Sequence, residues 1–411
     1  MGGVIEGNSA AEIVRSVRGL VHAGQLPAGV ALPAIRDLAG RLGVNRNTVA
    51  AAYAQLATAG VVETRRRGGT VVLGLPEVDG EGRAAGGDLV NLAGGNPDPA
   101  LLPSLADAIA GYEPVLYGAP AVDDRLHRLA GDLPDPHRLV LANGAADGME
   151  RLLTTHLTRG DQVAVEDPCY LAAIGTLRVN GLRAVPVPTD ADGMSASGLA
   201  AALAGGARAV IITPRAHNPT GASLTAGRAG ELRAVLTAYP EILVVEDDHF
   251  SMISARDYHR VTPPGHPRWA LVRSVSKFLG PDLRTAFVLA DPVTAARLES
   301  GATWVSHLLQ HVVASAWDES RFARARAAYA TRSGTLVDEL GHVGIALPRP
   351  DGLNVWIPVP GDGFVAALAA RGWAVRDGRD FAARQPAIRV TTSTITPVQA
   401  TAFAADLAAL R

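Results

Sequence analysis

The chain holds a single lysine and a single cysteine in 411 residues, and each scarcity excludes something. One cysteine, Cys169, rules out an internal disulfide framework and any zinc cluster built on thiolates, and no metal is expected. No run of about eighteen uncharged apolar residues occurs, which leaves no candidate membrane-spanning helix. The opening MGGVIEGNSAAEIV lacks the basic-then-apolar layout of a secretory signal, so a cytoplasmic, reducing setting is the expectation. The net charge of −2 conceals an asymmetry: residues 1–73 carry eight arginines against Glu6, Glu12, Asp37 and Glu63, which leaves that segment at +4 and the remainder at −6. With 48% hydrophobic residues the chain is too long for one ordinary core and apolar enough for two, a small domain and a large one.

Lys277 is the only lysine, so 37 of the 38 basic side chains are arginine. Such a bias replaces lysine wherever charge suffices, and a lysine that persists points to a task beyond charge. Lysine can lose its proton, attack a carbonyl and form a Schiff base, whereas a guanidinium stays charged. A lysine spared by chance is the plain alternative, to be judged by its neighbours.

Ile13, Val17, Leu20 and Val21 recur at helical spacing behind the cap Ser9, which predicts a first helix over 9–23. LPAIRDLAGRLGV, NRNTVAAAYAQLATAG and VVETRRRGGTVVLG then read as helix, turn, helix and a two-stranded wing. Gly43 permits the change of direction, and Asn45 caps a helix whose first turn presents Arg46, Asn47 and Thr48, residue types suited to a DNA groove. Val49, Tyr53 and Leu56 are expected to face inward. At the wing tip Arg65, Arg66, Arg67, Gly68 and Gly69 place three cations on a sharp turn, suited to a phosphate backbone. A solvated basic hairpin on a structural three-helix unit is the alternative. The run LPxxRxLAxxLGVxRxTVxxAYxxLxxxG from Leu32 to Gly60 resembles the GntR family of winged helix-turn-helix regulators. By that resemblance Arg36, Arg46, Asn47, Thr48 and the wing around Arg67 and Gly69 touch double-stranded DNA.

Residues 1–73 thus form the expected DNA-binding domain. The Gly-rich, polar stretch 74–90 reads as a linker. In 91–411, apolar runs (LVLANG, QVAVEDP, RAVIITP, EILVVEDD, WALVRSV, TAFVLA) alternate with helical stretches, the pattern of an α/β domain with a mostly parallel sheet. Such sheets bind ligands at the carboxyl ends of their strands, and the unusual residues lie there. RSVSKFLGPDLR places Ser274 and Arg284 either side of Lys277, a hydroxyl and a guanidinium for a phosphate. ANGAADG lets Gly144, Ala145 and Ala146 offer backbone N–H groups to the same phosphate. In EDDHF, Asp247 could hold a pyridine nitrogen protonated, which makes the ring an electron sink. HNPTG supplies Asn218, an amide for a phenolic oxygen, and EDPCY supplies Tyr170, a flat face for stacking. Taken singly, each has a plain structural alternative: capping carboxylates, an Asn-Pro turn, a core tyrosine.

Together these features resemble fold-type I aminotransferases, and with the N-terminal segment they resemble the MocR subfamily of GntR regulators across essentially the whole chain. The resemblance implies pyridoxal 5′-phosphate as cofactor, Lys277 as its Schiff-base lysine, Asp247 as the pyridine partner and Asn218 as the phenolate partner. It implies phosphate binding by Ser274, Arg284 and the turn Gly144–Ala146. Tyr117, in YGAP, matches a tyrosine that reaches the cofactor of a second subunit, which implies a homodimer. Arg389, in AIRVTTS, matches the arginine that grips a substrate carboxylate. The runs VNRNTVAAAY, GGNPDP, PRAHNPTG, RSVSK and WVSHLLQ look like members associated with vitamin B6 metabolism. Two departures weaken efficient transamination: His249 stands where the family usually has a tyrosine near the phenolic oxygen, and Ala146 where it often has glutamine. Three functions stay open: a regulator that senses the cofactor or a cofactor-reactive amine, a working aminotransferase with a DNA-binding arm, and a dimer scaffold with a dead pocket. The basic helix-turn-helix favours the first.

Overall fold

The computed structural model describes residues 4–65, 69–73, 81–82, 86–301 and 304–411, without the side chains of Thr58 and Arg65. The chain divides into two compact units, the first centred on Met1–Asp79 and the second holding most of Gly80–Arg411. Among the described residues no helix is long and apolar enough to cross a membrane.

In the first unit, α1 (Ala10–His22) begins where the Ser9 side chain accepts from Glu12 N. Its buried stripe is Ile13, Val17 and Val21, one residue every turn. Burying each such side chain contributes about 1.5–3 kcal/mol. Helices α2 (Ile35–Leu42) and α3 (Arg46–Thr58) flank the turn at Gly43, and the Asn45 side chain accepts from Asn47 N at 2.8 Å. Val49, Tyr53 and Leu56 face the core as expected, and the Tyr53 hydroxyl donates to Pro33 O at 2.8 Å. The wing is an antiparallel pair, β1 (Val62–Arg65) and β2 (Gly69–Val72), with Arg65 opposite Gly69.

Val90, the last residue of the expected linker, already lies in strand β3 (Val90–Asn91). The main sheet of the second unit comprises β4 (Arg138–Ala142), β5 (Gln162–Asp167), β6 (Arg183–Asp190), β7 (Gly193–Met194), β8 (Ala207–Ile212), β9 (Leu243–Asp247), β10 (Trp269–Ser274) and β11 (Ala286–Ala290). Its order is β4-β11-β10-β9-β8-β5-β6-β7. Strands β10, β9, β8 and β5 are parallel neighbours, and β11 runs antiparallel to both β10 and β4. Two reversals restore direction, so β4 also ends on the edge where β5, β8, β9 and β10 end. Strands β9 and β11 are buried along their length, and β8 everywhere but Arg208, as in a sheet covered on both faces, which is why they read as apolar runs. A smaller sheet near the C-terminus joins β12 (Asn354–Pro358), β15 (Ala387–Thr391) and β14 (Arg376–Asp377), while β13 (Trp373–Ala374) pairs with β3. The helices Glu319–His342 and Pro397–Ala408 pack into its core through Leu336, Leu340, Phe403 and Leu407.

Candidate functional site

Strand β4 runs into Gly144, the residue that caps helix Ala145–His156. Its φ of 96° and ψ of 167° belong to glycine. A Cβ there would come within 2.3 Å of an Arg284 terminal nitrogen, so the absent side chain also lets the guanidinium close on the turn. Arg284 donates to Asn143 O at 3.3 Å. Ser274 ends β10, and sheet register sets it opposite Ala286, which lies opposite Ala142. The N–H groups of Ala145 and Ala146 in the first turn of that helix, the guanidinium and the hydroxyl are thus brought to one edge. That donor set suits a phosphate dianion.

Lys277 is half-buried and its Nζ donates to Gly95 O at 2.6 Å. Burial lowers its pKa, the Glu81 carboxylate opposes that shift, and the Arg389 charge adds to it. Asp247, on neighbouring β9, is 6% exposed, and its Oδ1 has no partner among the described residues. A buried, unpartnered carboxylate oxygen is costly as structure and is what a protonated ring nitrogen would satisfy. Asp247 Oδ2 lies 3.5 Å from His249 Nδ1. The His249 and Tyr170 rings are near-parallel, 13° apart with centroids separated by 6.1 Å.

Side chains that sequence reasoning did not single out support this edge. Asp248 is fully buried and accepts a bidentate pair from Arg215 at 2.9 and 2.7 Å and a bond from Arg273 Nε at 3.1 Å. Behind Asp247, Glu166 accepts from Thr213 N and Oγ1, and its Oε2 lies 3.3 Å from His217 Nε2. Burial pushes Glu166 up to about 8 and His217 down to about 3, so both are neutral near pH 7. Asp248, His217 and Arg215 lie within three positions of Asp247 or Asn218, Glu166 lies four before Tyr170, Thr213 five before Asn218, and Arg273 adjoins Ser274.

Arg389 sits at the middle of β15 and is 0% exposed. Its partner is Glu81, inside the stretch expected to be a plain linker. Nη1 meets Oε1 at 2.6 Å and Nη2 meets Oε2 at 2.9 Å. Asn218 joins the same centre: its Nδ2 donates to Glu81 Oε1 at 2.6 Å, and its Oδ1 accepts from Arg389 Nη1 at 2.9 Å. Burial pushes the Glu81 pKa up, but the Arg389 charge and its hydrogen bonds, with Lys277 and Asn218, outweigh that and hold it below the usual glutamate value. Tyr117 stands apart from this cluster, 91% exposed and edge-on to Trp304 at 5.4 Å.

In the first unit, Arg36, Arg46 and Asn47 are exposed, Thr48 is half-buried and Gly69 is exposed on the wing. Arg66 and Arg67 lie outside the described residues, as does the Arg65 side chain.

Two family profiles match: "Bacterial regulatory proteins, gntR family" over residues 9–72 and "Aminotransferase class I and II" over 89–407. The chain is 44% identical to the vitamin B6 salvage pathway transcriptional repressor PtsJ of Salmonella typhimurium, over 98% of this chain and 99% of that protein. It belongs to the MocR-type GntR regulators. A second relative in this group, the pyridoxine biosynthesis transcriptional regulator PdxR of Corynebacterium glutamicum, is 29% identical over 88% of this chain and 86% of its own length. Among solved structures, a kynurenine aminotransferase of Pyrococcus horikoshii aligns at a TM-score of 0.70 with 20% identity, covering 79% of this chain and 91% of that enzyme. The α-aminoadipate aminotransferase LysN of Thermus thermophilus aligns at 0.68 with 23% identity, covering 78% and 92%. These likenesses establish a fold-type I aminotransferase architecture in the second unit of this MocR-type regulator, and the GntR segment makes it a DNA-binding transcriptional regulator.

Proposed function

We propose that this regulator controls vitamin B6 supply and reads pyridoxal phosphate through its aminotransferase-like domain, with DNA held by residues 1–73, the ligand held within 91–411, and the expected linker 74–90 contributing Glu81 to the site and Val90 to β3. The observation that carries the reading is the buried Asp247 Oδ1, without a partner among the described residues, on the same sheet edge as Lys277 and the Gly144 turn. A pyridine N–H would satisfy that oxygen. The Ala145 and Ala146 amides, Ser274 and Arg284 would hold the phosphate, and Asn218 would present an amide to the phenolic oxygen. Tyr170 would supply a stacking face, with His249 beside it. Bound covalently, the cofactor would supply an electron-accepting ring. The residues themselves orient and enclose it: Lys277, with its pKa lowered by burial, is prepared to lose a proton and act as a nucleophile.

On the DNA side, Arg46 and Asn47 at the start of α3 would read base edges, and Arg36 with the wing arginines Arg65, Arg66 and Arg67 would grip phosphates. A homodimer is part of the same reading, since Leu116 and Tyr117 are 80% and 91% exposed and Trp304 lies beside Tyr117. An apolar group so exposed is suited to burial against a second copy. The relatives' names, PtsJ of vitamin B6 salvage and PdxR of pyridoxine biosynthesis, support the pathway. To act as a signal, pyridoxal phosphate must favour one DNA-binding state over the other, and a tenfold change in operator affinity corresponds to about 1.4 kcal/mol of coupling. Titrating operator binding against pyridoxal phosphate, in wild type and Lys277→Ala, tests the reading. Superimposable curves in wild type with and without the ligand would refute it.

A further inference from the structure

Resting on the pyridoxal phosphate pocket proposed above, we infer that Glu81 is a built-in carboxylate that occupies Arg389 and restricts the pocket to ligands lacking an α-carboxylate. Glu81 engages the guanidinium as a free carboxylate would, fork to fork, at 2.6 and 2.9 Å. The remaining bonds of those two nitrogens go to Asn218 Oδ1 at 2.9 Å and Ala93 O at 2.7 Å, so they offer an incoming acid no free pair of donors.

The chain around Glu81 is shaped for this contact. Gly95, at φ 64°, passes so close that a Cβ there would lie 2.0 Å from Glu81 Oε2 and 3.0 Å from Arg389 Nη2. Gly82 N donates to Gly94 O at 2.8 Å, which pins the backbone beside the carboxylate. Arg389 is 0% exposed, and a buried cation needs a counter-charge. A ligand carboxylate must therefore displace Glu81, because a second anion beside it would be repelled at close range. Displacement competes against an intramolecular partner whose effective concentration is in the millimolar range or above. Glu81 also keeps its charge across neutral pH, since its pKa is held below the ordinary glutamate value. Amino acids at millimolar levels are outcompeted, whereas pyridoxal phosphate, which carries no carboxylate, is not. Glu81 thereby sets ligand choice: a pocket with the architecture of an amino-acid transaminase answers to the cofactor alone or to amines without an acid group.

The test uses full-length protein freed of cofactor and sodium propionate as a carboxylate without an amine. Calorimetry on wild type, Glu81→Gln and Glu81→Ala should show propionate binding at least tenfold tighter in both variants than in wild type. In parallel, protein loaded with pyridoxal phosphate should keep its absorption spectrum on addition of L-alanine in wild type and change it in Glu81→Gln. The Gln side chain retains size and hydrogen bonding, so it stands in if Glu81→Ala does not fold. Equal propionate affinity in wild type and Glu81→Gln, whether measurable or nil, overturns the inference. A wild type that never gains an absorption band with pyridoxal phosphate overturns instead the pocket reading, and the propionate comparison then still decides whether Glu81 shields Arg389.

Discussion

Replacing Asp248 with alanine should be among the most damaging single changes in the second unit. The carboxylate is fully buried and bridges two guanidiniums, with Arg215 bound through two bonds and Arg273 through one. The Arg215 and Arg273 side chains are only 11% and 21% exposed, so water cannot take over the lost contacts. Removing one member of a buried pair typically costs about 3–5 kcal/mol, because a charge is left without compensation. Against a total stability of about 5–15 kcal/mol, that is a large fraction. The control is Asp190→Ala, which breaks a pair with Arg228 whose carboxylate is 57% exposed and should cost no more than about 1 kcal/mol. Urea unfolding followed by fluorescence measures both. Since Asp248 follows Asp247 directly, the surviving folded protein should also bind pyridoxal phosphate more weakly. If Asp248→Ala loses no more stability than Asp190→Ala, the buried network is not what holds the end of β9.

Lys277→Ala should abolish the near-ultraviolet to visible band that wild type gains with pyridoxal phosphate, and an unchanged band would contradict a covalent role. Gly144→Ala forces a side chain into a glycine conformation and against Arg284, strain of about 1–3 kcal/mol. Its pyridoxal phosphate affinity should fall roughly tenfold or more, and an unaltered dissociation constant would refute the phosphate turn. Glu166 is raised by burial from 4.5 to about 8, so it binds a proton more tightly folded than unfolded, and its own contribution to stability falls as pH rises through that interval, against rising contributions from His156 and His217, which burial lowers. Glu166→Gln removes that falling contribution, so stability measured by unfolding between pH 5 and 8 should change more positively with pH than in wild type, and an identical slope would show that Glu166 is ionised in the folded protein. Arg46→Ala should cost about 1–3 kcal/mol on operator DNA and little on random DNA, whereas Arg65→Ala should weaken both alike; footprinting and filter binding would separate the two.

The elements with strong periodicity were legible. α1 and α3 carry apolar residues every turn, and β4, β5, β8, β9, β10 and β11 are short apolar runs ended by polar ones. The polar ends gave the candidate residues, because a parallel sheet gathers its carboxyl termini on one edge. Strand β15 was harder: its five residues are all buried, yet its centre is an arginine, and only resemblance drew attention to Arg389. Within EDDHF the sequence offers two adjacent aspartates, and nothing local tells which one two arginines surround. His217 and Glu166 lay inside motifs already noted, but a neutral histidine beside a neutral acid is a consequence of burial. Glu81 left no local signal at all. Its partner is 308 positions away, and the Gly-rich composition around it reads as a tether.

A chain with one ε-amine makes Lys277 a reporter without engineering. Borohydride reduction in the presence of pyridoxal phosphate should fix the adduct on the one lysine, read from the intact mass of wild type against Lys277→Ala, which subtracts reaction at the α-amine. Ligand occupancy, with and without operator DNA, could then be followed by the yield of that one covalent mark.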